Sequence, residues 1–419
     1  MAKLHTVADG FSFPSSLTFA ADGTAYVAET GVPFVEDATP GRVWRLEAGG
    51  NRTLVADELQ QPVNGLTWHA GSLYVSTGDD PGRIVRIDDD GGRTVIVDDL
   101  PGPGNYHVGM IAFGPDGKLY FGQGAMTNSG IIGLDAYELG WLGRLPHAHD
   151  VPGHDLELTG INATTADPFS DAAGATIETG AFAGFGQSTH RGQRVAAGLP
   201  CTSAVMRCNP DGSDVELVAW GLRNPYGIGF LPDGRLLATD QSGDERGSRP
   251  LGSVPELVYE VKQGAWYGWP DFVGGEPITS PRFRPTEGPA PAFLIANHDD
   301  LPTPERPLLE MPPHASATKF DVAPTSFGAY SGQIFVALFG DERPMTAPPG
   351  PRAGRSVARI DPADWSVHEV AGEPLHRPID VRFSPDGKLH VLDFGIFEMT
   401  DPHTVAALPE TGAVWRIDL

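Results

Sequence analysis

Apolar and polar positions along the chain fall into one recurring phrase. An apolar strand runs into a Pro-Asp-Gly turn, a second apolar strand follows, and a third ends near Arg-Ile-Asp. Phe113-Gly-Pro-Asp-Gly-Lys-Leu-Tyr-Phe, Phe230-Leu-Pro-Asp-Gly-Arg-Leu-Leu-Ala and Phe383-Ser-Pro-Asp-Gly-Lys-Leu-His-Val are the clearest copies. Phe19-Ala-Ala-Asp-Gly-Thr-Ala-Tyr-Val replaces the Pro with Ala. Pro presets φ and Gly supplies a positive φ, so each phrase predicts a tight hairpin. Looser copies run from Leu66 to Val75 and from Phe320 to Val336. Third strands recur at Arg42, Arg83, Val205, Leu257, Val357 and Val414, with apolar and polar residues alternating as in half-buried strands. Outer strands follow at Arg52, Arg93, Val215 and Ser366.

Four antiparallel strands repeated about six times predict an all-β, six-bladed β-propeller; an open β-solenoid is the alternative. The last blade ends at Leu419 after its third strand, while Leu4-His-Thr-Val-Ala-Asp opens the chain as an unpaired strand. Pairing the two ends closes the ring and removes an exposed edge. The whole chain, 1–419, then reads as one domain. Long insertions are expected over about 130–200, within blade 3, and 270–307, between blades 4 and 5. Both are rich in Gly, Pro, Thr and Asp, as binding loops over one face would be.

Composition narrows the partners. With 54 acidic against 29 basic residues the net charge is -25, which repels phosphate backbones and anionic lipid. Nucleic acid is therefore not expected as a partner, and a small molecule is. No apolar run reaches the roughly 18 residues of a membrane span. The amino terminus lacks a secretory signal pattern, which reads as cytoplasmic, or as periplasmic or secreted if a mature form has been trimmed. Two cysteines, Cys201 and Cys208, read as free thiols in a buried hairpin.

Propeller topology places one residue before each innermost strand and one after each second strand around the axial channel. The first set contains Ser15, Asn64, Tyr106-His107, Arg223-Asn224, His314 and Arg377. The second contains Glu29, Asp79, Gln123, Asp240-Gln241, Asp341 and Asp393. A polar funnel is the physical expectation. His107 is a candidate general base, or else a structural hydrogen-bonding group; His314 holds the corresponding place in blade 5. Asn64, Gln123, Glu29, Asp240 and Asp393 offer hard oxygens of the kind calcium takes. His147, His149, Asp150, His154 and Asp155 form a His-x-His cluster that suits either a transition metal or a polar loop.

The most specific stretch is Trp220-Gly-Leu-Arg-Asn-Pro-Tyr-Gly-Ile-Gly-Phe, running on to Asp240-Gln-Ser-Gly-Asp-Glu-Arg-Gly, with Ala265-Trp-Tyr-Gly-Trp-Pro after it. It resembles the glucose/sorbosone dehydrogenase family of soluble quinoproteins. The resemblance implies oxidation of a sugar or other alcohol by pyrroloquinoline quinone with calcium or another divalent ion, a His taking the hydroxyl proton. By position, His107, Arg223 and Asp240 would then carry the chemistry. Asn64, Gln123, Arg223, Asn224, Gln241, His314 and Arg377 would hold the cofactor. Glu29, Asp240, Gln241, Gly243 and Asp393 would lie at the metal. The sequence also departs from that family. Tyr106 stands where the catalytic His is counted, one residue before His107. Phe339 replaces a quinone-binding Lys, and Ile379 replaces a second Arg.

Three other functions stay open on the sequence: a family member that has lost the quinone, a metal-dependent lactonase or hydrolase using Glu29, Asn224 and Asp240, and a binding propeller without chemistry.

Overall fold

A computed structural model describes residues 2–31, 40–47, 49–102, 104–401 and 404–419. Six antiparallel sheets are built from the predicted phrases, and each is a blade. Blade 1 runs Pro14–Phe19, Ala25–Glu29, Gly41–Leu46 and Arg52–Leu59 from axis to rim. Blade 2 repeats this with Val63–His69, Ser72–Thr77, Gly82–Ile87 and Arg93–Leu100. Blades 3, 4, 5 and 6 begin with Val108–Phe113, Pro225–Phe230, Ala317–Val322 and Pro378–Phe383. The outer strand of blade 6 is Lys3–Phe11, which pairs with Gly412–Asp418, Leu4 standing opposite Ile417. First and last strands of the chain thus share one sheet, so that Gly412–Asp418 is paired on both sides and Lys3–Phe11 forms the rim.

Alternation decides what holds the blades together. The main apolar cores lie between consecutive blades. Ala28 and Val43 of blade 1 meet Val63, Leu66, Val75 and Val85 of blade 2. Leu237 and Val258 of blade 4 meet Phe320, Val336 and Ile360 of blade 5. Burying each such side chain contributes roughly 1.5–3 kcal/mol. Glycines let the innermost strands close in: a Cβ on Gly227 would stand 2.3 Å from the carbonyl oxygen of Thr318.

The axis carries charge. Lys319 of blade 5 is fully buried and donates from Nζ to the carbonyl of Ser15 in blade 1 at 2.6 Å. Asp380 of blade 6 is also fully buried, accepting from Ser16 Oγ at 3.0 Å and from the Leu17 N–H at 2.9 Å. These bonds cross from blade to blade, so they fix the ring as well as fill it.

Several details depart from the sequence reading. Blade 3 gains a fifth strand, Ala265–Trp266, which runs parallel to Glu216–Trp220. The insertion at 270–307 lies inside blade 4, before its outer strand Leu309–Met311, and not between blades 4 and 5. The insertion around 130–200 is not plain loop. It holds the short helix Leu134–Glu138, a hairpin of Asn162–Ala166 with Thr176–Gly180, and a two-residue pair of Leu156–Glu157 with Arg194–Val195. Blade 6 carries an unforeseen hairpin, Phe397–Asp401 with Thr404–Ala407. Cys201 and Cys208, by contrast, are buried and free as expected. Among the described residues no helix is long and apolar enough to cross a membrane.

Candidate functional site at the mouth of the ring

The same register recurs in every blade and gathers the candidate residues on one face. The start of each innermost strand faces the end of the second strand: Pro14 opposite Glu29, Val63 opposite Thr77, Val108 opposite Gln123. Pro225 faces Asp240, Ala317 faces Leu338 and Pro378 faces Asp393 in the other three. Local geometry then decides what each side chain does.

Three of the expected cation ligands have a shared structural duty. Asp240 accepts the backbone N–H of Asn224 at 2.7 Å and of Arg223 at 3.2 Å. Asp393 accepts those of Arg377 at 2.7 Å and His376 at 2.9 Å. Glu29 accepts the N–H of Ser12 at 2.7 Å and the indole N–H of Trp44 at 2.8 Å. Each carboxylate ties down the turn that leads into its own blade's innermost strand, in blades 4, 6 and 1. The expected metal set of Glu29, Asp240, Gln241, Gly243 and Asp393 is therefore not assembled. Among the described residues, no three His, Cys, Asp or Glu side chains gather to hold a metal ion. Gly243 packs against Leu251, whose Cδ1 would stand 2.5 Å from a Cβ placed there. Burial raises the Asp240 carboxyl to about 7, against the pull of the two N–H groups and of Arg223, and it also raises Asp393.

The two arginines expected to meet a cofactor face the protein instead. Arg223, 4% exposed, donates from Nε to the Asn128 carbonyl at 3.0 Å. Its Nη1 reaches the carbonyls of Gln241, at 3.1 Å, and Ser242. Its Nη2 reaches Asn128 Oδ1 at 2.8 Å, Asp244 Oδ2 at 3.0 Å and the Tyr106 hydroxyl, and the guanidinium stacks 4.3 Å from the Tyr106 ring centre. Every N–H of the fork has an acceptor. Arg377 is spent similarly, on the carbonyls of Phe397, Phe339 and Asp341 and on Glu398. The cause is local. The segment after the second strand of blade 3 and the acidic loop at 241–246 wrap Arg223, whereas the blade 6 hairpin wraps Arg377.

The amides lie among these groups. Asn224 Nδ2 donates to Gln241 Oε1 at 2.7 Å, and Gln241 Nε2 donates to Ser316 Oγ of blade 5 at 2.8 Å. Asn64 Nδ2 holds the Val108 carbonyl of blade 3 at 3.0 Å. Gln123, fully buried, donates to the carbonyls of Pro101 and Gly124.

His107 is half-buried beside Asp79 and Arg144, and its Nδ1 has no hydrogen-bond partner. Burial lowers it to about 4, with Asp79 opposing, so the ring is neutral at physiological pH. His314 adopts φ 63° and is also lowered by burial, against Asp244. The His147–Asp155 cluster is dispersed. Asp150 accepts from Met126 N, Thr127 Oγ1 and Thr202 Oγ1, His154 lies edge-on to Trp220, and Asp155 accepts the Ala197 N–H.

Sequence reasoning missed Asn128, Asp135, Asp244, Arg246 and Glu342. Arg246 donates to the Tyr106 hydroxyl at 2.7 Å, to Asp244 at 3.2 Å and to Asp135 at 3.3 Å. Burial works against the Asp244 charge, yet Arg223 and Arg246 overcome it and hold the carboxyl below its usual range. Glu342 is raised by burial, with Arg377 opposing. The run Gly243-Asp-Glu-Arg-Gly was the available signal. The Trp-rich motif proves largely structural: Trp220 and Trp266 stack at 6.3 Å, fully buried.

A tricarboxylate quinone needs uncommitted cations. Here Arg223 has no free N–H, Arg377 is engaged by carbonyls, and Phe339 and Ile379 bring none. As arranged, the donor set does not fit that cofactor.

No family model matches the chain, and no curated protein matches it. Solved structures match in fold over its entire length. The PQQ-bound form of aldose sugar dehydrogenase from Streptomyces coelicolor is 16% identical with a TM-score of 0.57, covering 100% of this chain and 99% of that one. The holo PQQ domain of pyranose dehydrogenase from Coprinopsis cinerea is 15% identical at 0.59, with 100% and 95% covered. The apo form of the soluble aldose sugar dehydrogenase from Escherichia coli is 14% identical at 0.57, with 100% and 99% covered. At these identities the likeness is one of fold.

Proposed function

We propose that the mouth binds a neutral, hydroxyl-rich small molecule, a sugar, polyol or sugar lactone, in a propeller of the sugar-dehydrogenase architecture that has given up the quinone. The observation that carries this reading is the internal neutralisation of Arg223, every N–H of which is held by the protein's own oxygens. What remains for a ligand is Glu342, the amides of Asn224 and Gln241, and two imidazoles of lowered basicity, with no uncommitted cation among them. Such a lining repels an anion and suits hydroxyls, which both donate and accept. Within it His107, uncharged, accepts a hydrogen bond or a proton from a ligand hydroxyl.

The test is calorimetric titration of chelator-treated protein with a panel of aldoses, polyols and their lactones. Saturable binding that falls at least tenfold in Gln241→Ala and His107→Ala supports the reading. Absence of binding across the panel ends it.

A second reading, quinone-dependent sugar oxidation with calcium, is favoured by the whole-length likeness to the PQQ-bound Streptomyces enzyme and by the Gly221-Leu-Arg-Asn-Pro stretch. It requires Arg223 to leave its carbonyls when the cofactor enters. Sugar-dependent dye reduction after incubation with calcium and the quinone would establish it in place of the first. The lactonase built on Glu29, Asn224 and Asp240 around one ion has no such support, because both carboxylates are committed to turns.

A further inference from the structure

The oxygens around Arg223 form a cage. They are the backbone carbonyls of Asn128, Gln241 and Ser242, the Asn128 amide oxygen, an Asp244 carboxylate oxygen and the Tyr106 hydroxyl. All are hard oxygens: five come from two segments, one after the second strand of blade 3 and one after that of blade 4, and the Tyr106 hydroxyl comes from the turn before the innermost strand of blade 3. The Asn128 and Asp244 part of the cage is also held by bonds that do not involve the guanidinium. Asn128 Nδ2 donates to the carbonyls of Asp244 at 2.8 Å and Arg246 at 2.9 Å, and the Asp244 N–H returns to Asn128 Oδ1 at 3.0 Å. Buried carbonyls and a buried carboxylate converging on one point without a cation would be costly.

We infer that Arg223 is a resident cation: its guanidinium fills an all-oxygen site that would otherwise take a mobile cation, so that the folded protein binds no divalent ion there. Hard, mostly neutral oxygens of this kind are also what calcium coordinates. A planar fork matches them through its five N–H groups, and a covalently tethered cation pays no association entropy. The positive charge that a metal ion would bring to these oxygens is already present on a side chain. The inference bears on the proposed reading, which takes the mouth to work without a divalent ion, yet the two can fail separately.

The experiment removes the guanidinium. Arg223→Ala is expected to lower the melting temperature, and millimolar methylguanidinium is expected to restore at least half of the loss. Calcium, smaller than the fork, would take some of the oxygens with water completing its shell; terbium would report the same uptake as luminescence sensitised by Tyr106. Asp244→Asn placed in the Arg223→Ala background should abolish the recovery. Recovery by either cation supports the inference. It is overturned if neither cation restores the variant, or if the wild-type protein gains melting temperature from calcium in a manner lost in Asp244→Asn. Should Arg223→Ala be insoluble, Arg223→Lys carries the same comparison, since a point charge leaves part of the fork's acceptors open. Sugar binding by the wild type alongside an unrescued variant defeats this inference alone. A rescued variant with no sugar binding by the wild type defeats only the functional reading.

Discussion

Lys319 offers the sharpest test of the charged axis. Its amine is fully buried, donates to the Ser15 carbonyl at 2.6 Å and stands 4.6 Å over the Tyr226 ring. Burial lowers it from 10.5 to about 7; Asp380 pulls it back up and Arg382 pushes it further down. The unfolded chain keeps its proton up to about pH 10.5. Between pH 7 and 10.5 the unfolded state therefore binds a proton that the folded state lacks, and stability rises with pH. Below pH 7 both states are protonated and the full penalty, about 5 kcal/mol, is present. Lys319→Met removes the titration while keeping most of the volume, and Asp380 retains Ser16, Leu17 and Arg382. Denaturant unfolding of both proteins should give curves that converge by about 1.4 kcal/mol per pH unit between pH 7.5 and 9.5, the variant's advantage shrinking as pH rises. Parallel curves across that window would refute the assignment of a depressed lysine to the axis.

Glu256, 6% exposed, carries the opposite sign. Burial and the Asp244 charge raise it to about 8, so the folded state retains a proton that the unfolded chain sheds above about 4.5, and stability falls from pH 5 to 8. Glu256→Gln should flatten that fall, by up to about 4–5 kcal/mol over the window, as read by the same unfolding series. Burial pushes the Cys201 and Cys208 thiols up to about 12; in native protein neither should react with a thiol reagent at pH 8, and both should react on unfolding. Deleting residues 2–11 exposes the edge of Gly412–Asp418, and light scattering should then report self-association absent from the full chain.

Much of this architecture was legible because strand alternation and Pro-Asp-Gly turns are local signals. They placed all six inner hairpins and therefore the ring of polar residues at the mouth. What each side chain does there was less legible. Asp240, Asp393 and Glu29 occupy ring positions as expected, yet their oxygens point at N–H groups of their own blade. A turn needs an acceptor in the same register as a metal would, and sequence spacing does not separate the two. Arg223 sits in the expected place, but its acceptors include Asn128, 95 residues away and brought in by the blade 3 insertion. The two-residue strand Ala265–Trp266 was invisible for a related reason: its pairing follows from the stacking of Trp266 on Trp220, a tertiary contact that no periodicity records.

Absorbance titration of the wild-type protein with pyrroloquinoline quinone in the presence of calcium bears most directly on a mouth whose cations are already satisfied. The arrangement around Arg223 and Arg377 predicts no saturable change in the quinone spectrum and no sugar-dependent bleaching. Stoichiometric uptake of the quinone, with sugar reducing it, would contradict the account.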